Sequence, residues 1–147
     1  MVPKTAVAHE RAGQARNLDR WPVTAIMSRP AVAIRDTATM AEALEALAIT
    51  GLRHLAVVDA AGRCVGVLDD RMVTAAWAVN PISFSATPIA SALDPLPSVI
   101  TENMTVADAA RSMHRSCIDV VVITDRQRMP VGVLTTGDLI AIMAKPR

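Results

Sequence analysis

The sequence predicts an α/β (α+β) fold built from two copies of a β-α-β-β-α unit, and three observations carry that prediction. The first is self-similarity: Gly66-Val67-Leu68 recurs as Gly132-Val133-Leu134, an offset of 66 residues. The same offset pairs Thr39 with Thr105, Ala41 with Ala107, Ala43 with Ala109, Asp59 with Asp125 and Val65 with Val131. Conservative partners (Glu42 with Asp108, Leu47 with Met113, Val57 with Ile123) fill the gaps, and no insertion is needed from Met27 to Val73. The second observation is that short β-branched runs alternate with segments of helical spacing in each copy. The third is composition: 52% hydrophobic residues with 20% charged exclude disorder as the main state of this 147-residue chain. Only 2% are aromatic, so the core must be packed from Ala, Val, Leu, Ile and Met, which favours close α/β layers.

In chain order, Val32 to Ile34 and Val99 to Ile100 read as short strands. Thr39 and Thr105 each stand three residues before an acid, Glu42 or Asp108, the capping-box signature of a helix start. Met40 to Ile49 and Val106 to Met113 follow with apolar residues at helical spacing. Leu55 to Val58 and Val120 to Ile123 are continuous and β-branched, as buried strands read. Turns at 59–62 and 125–128 lead into third strands at Cys64 to Leu68 and Val131 to Leu134. A second helix closes each copy, at Arg71 to Val79 and Gly137 to Met143.

These elements divide the chain into a polar tail (1–20), a first repeat (21–79), a connector (80–91) and a second repeat (92–147). The tail sets Lys4, Arg11, Arg16 and Arg20 against Glu10 and Asp19; it reads as a frayed end, with a basic arm as the alternative. The connector is marked by Pro81 and Pro88.

Several function classes are excluded. A formal charge of +1 and one Phe with two Trp offer neither an electrostatic footprint nor a stacking platform for nucleic acid. The N-terminus lacks an apolar signal region and no run is long enough to span a bilayer, so a cytoplasmic location without a membrane partner is expected. Cys64 and Cys117 cannot form a disulfide framework and read as small buried hydrophobes. With His54 and His114 they lack zinc-ligand spacing, so no metal is expected. The Gly-x-Ser-x-Gly elbow, the P-loop, the dinucleotide glycine fingerprint and His-Glu-x-x-His are all absent. The chain reads as a non-enzyme without catalytic residues.

Gly51-Leu52-Arg53-His54-Leu55-Ala56-Val57-Val58-Asp59, followed by Gly66-Val67-Leu68, resembles a CBS motif. The second copy ends in Gly132-Val133-Leu134-Thr135-Thr136-Gly137-Asp138-Leu139, similar to that family's ligand motif, Gly-hydrophobic-x-Thr/Ser-x-x-Asp. The resemblance covers about residues 23 to 144. It implies a Bateman module: two CBS repeats packed sheet against sheet with pseudo-two-fold symmetry, leaving two clefts. It further implies a sensor of adenosine compounds that forms a homodimer, with no cofactor required and AMP, ADP, ATP or S-adenosylmethionine as ligand. With no effector domain fused, output is expected to run through a separate, unidentified effector protein.

A Thr at a strand-to-helix turn places its hydroxyl beside unpaired helix N–H groups, where an anion is stabilised. A carboxylate one turn later can accept from the two vicinal hydroxyls of a ribose. Thr135 and Asp138 meet both needs, although Thr-x-x-Asp is equally a capping box. Carried over by position, the resemblance places Ser28, Ala33, Leu52, Arg53 and His54 opposite them. Backbone near Ala33 and Leu52 would read adenine. Arg53 and His54 would approach phosphates, or else are ordinary surface charge. In the first copy Asp69 replaces the Thr and Met72 replaces the Asp, and Asp119 faces that second cleft. It is therefore expected not to bind nucleotides, with Asp69 capping the next helix. The leading reading is an adenosine sensor with one site; a ligand-independent interaction or structural module is the alternative.

Overall fold

The computed structural model describes residues 20–93 and 98–144, so nearly all of the expected tail lies outside the described residues. Each repeat forms a three-stranded sheet. In the first, β1 (Ala33–Arg35) runs parallel to β2 (His54–Val58), which pairs antiparallel with β3 (Cys64–Asp69). In the second, β4 (Val99–Thr101), β5 (Val120–Thr124) and β6 (Pro130–Thr135) repeat that order. Helices α1 (Met40–Thr50) and α2 (Asp70–Val79) belong to the first copy, α3 (Val106–Ser116) and α4 (Thr136–Ala144) to the second. Every strand keeps the offset of 66, down to the register shifts at Val57/Val58 and Ile123/Thr124.

Local chemistry explains the boundaries. At α1 the Thr39 hydroxyl accepts from the Glu42 N–H at 3.3 Å, and at α3 Thr105 accepts from Asp108 at 3.1 Å. Both helices end in a left-handed residue: Gly51 (φ 68°) and its counterpart Cys117 (φ 53°). This corrects the expectation for Cys117. It is exposed, because it holds the C-cap position that glycine fills in the first copy, whereas Cys64 is buried as expected.

The core has three parts. One gathers around Leu55, Val57, Leu68, Met40 and Leu47 of the first repeat, the second around Val121, Ile123, Leu134, Val106 and Met113 of the other. The third lies between the sheets, where Ala56, Cys64 and Val67 meet Val120 and Val122. Small and β-branched side chains let the sheets approach closely, as the composition requires.

The segments preceding each β1-type strand are exchanged between repeats. The Val23 N–H donates to Met104 O at 3.0 Å, and Ser28 and Val133 exchange backbone hydrogen bonds of 2.8 and 3.0 Å. Val23 and Met27 are thereby buried in the second repeat's core. By the same offset, the Ile89 N–H donates to Ala38 O at 3.0 Å, and Ile89 and Phe84 are buried in the first repeat's core. The connector thus supplies core residues from two short 3-10 turns, Phe84–Ala86 and Ile89–Ala92.

Candidate functional site

The strands β3 and β6 deliver the chain directly into α2 and α4, so two helix N-termini open on one side of the paired sheets. Between them lies a cavity of about 590 Å³. Ser28, Leu52, Arg53, His54, Thr135 and Asp138 line it, so six of the seven residues singled out from sequence converge. Ala33 is outside this lining: it sits exposed on β1, paired with Ala56.

The same cavity is lined by Asp69 and Asp119, assigned from sequence to a separate second cleft, and by Asp70 and Arg71. The two sets meet because the cavity straddles the pseudo-two-fold axis: Arg53 is the counterpart of Asp119, Asp69 of Thr135, Asp70 of Thr136. The Asp70 N–H donates to Arg53 O at 3.1 Å, and the Thr136 N–H to Asp119 O at 2.9 Å, one arrangement made twice. Met72, which stands where Asp138 stands in the other copy, packs instead against the first repeat's core. The offset marks Asp119 and Asp69 as the counterparts of Arg53 and Thr135, but not that both sets line one cavity.

Asp138 is held in a closed geometry. Its Oδ2 accepts from the Thr135 N–H at 2.9 Å, while its own N–H donates to Thr135 Oγ1 at 3.1 Å. Both halves of the capping box are made, so the capping reading of Thr-x-x-Asp is correct as far as the fold is concerned. It also fixes a half-buried carboxylate at the cavity wall. A second cavity of about 490 Å³ is lined by Asp138 together with Ala25, Ile26, Ala141 and Ile142. Ala141 and Ile142 lie three and four residues along α4 from Asp138 and share its face. Ala25 and Ile26 arrive through the exchanged segment, which carried no signal in the sequence.

The cationic groups at the first cavity are engaged. Arg53 Nε contacts Asp70 Oδ2 at 3.1 Å, and Arg71 Nη2 contacts Asp119 Oδ2 at 2.9 Å, bridging the two repeats. Both pairs are solvent-exposed, the setting in which an ion pair is worth about 0–1 kcal/mol. Desolvation opposes charge on Asp70, yet the hydrogen bond and charge of Arg53 prevail and hold its carboxyl below the usual range. Burial lowers the His54 imidazole below its ordinary value despite the nearby Asp69 and Asp70. Asp69 Oδ1 accepts from the Met72 N–H at 2.8 Å, the expected cap of α2. Among the described residues, no three His, Cys, Asp or Glu side chains form a metal-binding group, and no helix is long and apolar enough to cross a membrane.

A CBS domain profile matches the chain twice, over residues 23–78 and 90–145. No curated protein matches. Among solved structures, the CBS domain of the bacterial CNNM/CorC family Mg2+ transporter in complex with ATP superposes with a TM-score of 0.78 at 22% identity, covering 92% of this chain and 96% of that one. The CBS domain of a membrane protein from Sphaerobacter thermophilus gives 0.78 at 19% identity, over 95% and 98% of the two chains. The CBS domain pair of protein MJ0100, in complex with 5′-methylthioadenosine and S-adenosyl-L-methionine, gives 0.73 at 25% identity, over 82% and 94%. The duplicated register, the paired sheets and the two profile matches together establish that this chain belongs to the CBS domain family, as a tandem pair of CBS domains.

Proposed function

We propose that this CBS pair is a regulatory, non-catalytic module that binds an adenosine-containing ligand beside Asp138 and acts through a homodimer. One observation carries the reading: Asp138 lines both a polar cavity and a mainly apolar one. A flat base suits the cavity of Ala25, Ile26, Ala141 and Ile142. A ribose diol suits the carboxylate, and the 5′ substituent would extend toward Thr135, Arg53 and His54. The adenosine compounds held by the CBS domains of MJ0100 and the Mg2+ transporter support this class of ligand.

Calorimetry of the purified chain with AMP, ADP, ATP and S-adenosylmethionine tests it. Saturable binding of at least one, lost in Asp138→Ala, is the expected result; no binding by any of them overturns it. For the assembly, Trp77 on α2 and its counterpart Met143 on α4 are 56% and 49% exposed, with Val79 and Ile140 beside them in the chain order of those helices also exposed. Large apolar side chains at equivalent positions favour a symmetric contact through these helices. Light scattering is expected to give a dimer, and a monomer alone at roughly tens of micromolar overturns the assembly.

A second reading, a ligand-independent interaction module, is favoured by one feature: the first copy has lost the Thr/Asp pair to Asp69 and Met72. Calorimetry separates the two.

A further inference from the structure

We propose that the charge of the polar cavity selects an adenosine whose 5′ arm is cationic or uncharged, a sulfonium, ammonium or thioether, over adenosine 5′-phosphates. The inference rests on the adenosine reading above and narrows its ligand class.

The cavity wall carries four carboxylates (Asp69, Asp70, Asp119, Asp138) against two guanidiniums (Arg53, Arg71), a formal balance of −2. Neither guanidinium faces the cavity alone, since Arg53 is paired with Asp70 and Arg71 with Asp119. Each guanidinium keeps further N–H donors, but a phosphate that takes them also meets the carboxylate paired with that arginine, Asp70 or Asp119. Among the described residues Asp69 and Asp138 have no cationic partner of this kind; they accept from the N–H groups of Met72 and Thr135. Two helix N-termini add roughly half a positive charge each, which lessens the negative balance without reversing it. His54 does not offset this balance at neutral pH, because burial favours its neutral form. A triphosphate entering here meets net repulsion, whereas a sulfonium or ammonium gains from Asp69, whose charge no guanidinium of the wall offsets.

The test is calorimetry without divalent cations, with S-adenosylmethionine, 5′-methylthioadenosine, AMP and ATP as probes. At about 20 mM salt S-adenosylmethionine is expected to bind at least about tenfold more tightly than ATP, and the gap to narrow at about 200 mM, where charges are more strongly screened. Asp69→Asn, which keeps a capping acceptor, and Asp119→Asn are each expected to narrow that gap by about threefold. The uncharged 5′-methylthioadenosine reports on folding and on the base and ribose sites, and is expected to change less than about twofold in both variants. AMP or ATP binding as tightly as S-adenosylmethionine overturns the selection and leaves the adenosine reading standing. A gap insensitive to both variants also overturns it. Failure of all four probes overturns the adenosine reading and this inference with it.

Discussion

Thr135 and Asp138 cap each other. The Thr135 hydroxyl accepts from the Asp138 N–H at 3.1 Å, and Asp138 Oδ2 accepts from the Thr135 N–H at 2.9 Å. One carboxylate therefore starts helix α4 and forms the wall shared by two cavities. The two roles separate by substitution. Asp138→Ala removes an acceptor at the helix start and should cost about 1 kcal/mol of stability, together with ligand binding. Asp138→Asn keeps a carbonyl acceptor and should stay within about 0.5 kcal/mol of the parent in denaturant unfolding. Its affinity for an adenosine ligand should nonetheless fall by about tenfold, because a neutral amide replaces a charged acceptor of ribose hydroxyls. Parent-like affinity in Asp138→Asn would show that the carboxylate charge plays no part.

Asp69 offers the parallel case without the ribose motif. Its Oδ1 takes the Met72 N–H at 2.8 Å, so Asp69→Ala should lose about 1 kcal/mol and Asp69→Asn only a few tenths. Equal losses in the two variants, read from urea unfolding midpoints, would mean that α2 does not depend on this cap.

The fold was legible because the chain contains its own control. A duplication at offset 66 allows each ambiguous run to be read twice, and every helix and strand ends within three residues of its expected boundary. What escaped was short or non-local. The Val23–Ala25 and Phe84–Ala86 turns are three residues each, too brief for any periodicity, yet they decide that each pre-strand segment packs on the opposite repeat. That exchange brings Ala25 and Ile26 to Asp138, alongside the Ser28 that the family resemblance places there. The joining of two expected clefts into one cavity was hidden for a related reason: spacing along the chain does not reveal which strand ends a pseudo-axis brings together. Cys117 was misread on hydrophobicity, although alignment with Gly51 already marked a left-handed position.

At Gly132 the exchanged segment lies tight against β6. A Cβ there would lie 2.5 Å from Met27 Sδ, 2.8 Å from Met27 Cγ and 3.0 Å from the Ser28 carbonyl oxygen. The thioether can move, but the Ser28 carbonyl accepts from the Val133 N–H and is backbone. Gly132→Ala should therefore destabilise by about 1–3 kcal/mol and displace Ser28 from the cavity wall. Adding Met27→Ala should recover part of the loss, making the pair non-additive by more than about 0.5 kcal/mol. Strict additivity of the two losses would sink the steric explanation.

His54 gives the protein a distinct acid sensitivity. Burial lowers its pKa in the folded chain below the ordinary value of 6.5, and the surrounding Asp69, Asp70 and Asp138 only partly oppose that shift. The unfolded chain therefore takes up the proton first as pH falls through 6.5, and stability declines from there until the folded imidazole protonates too. Asp59 and Asp70 act in a separate window. The Arg63 N–H lowers Asp59 most, and Arg53 lowers Asp70 against its desolvation, so their contributions are complete above the ordinary value of 3.8 and are lost only below it. Thermal unfolding should thus fall in temperature between pH 7 and 5, before the contributions of Asp59 and Asp70 are lost. His54→Gln should flatten that segment of the profile relative to the parent while leaving the decline below pH 4 in place. A parent-like slope between pH 7 and 5 in His54→Gln would assign the sensitivity to another group.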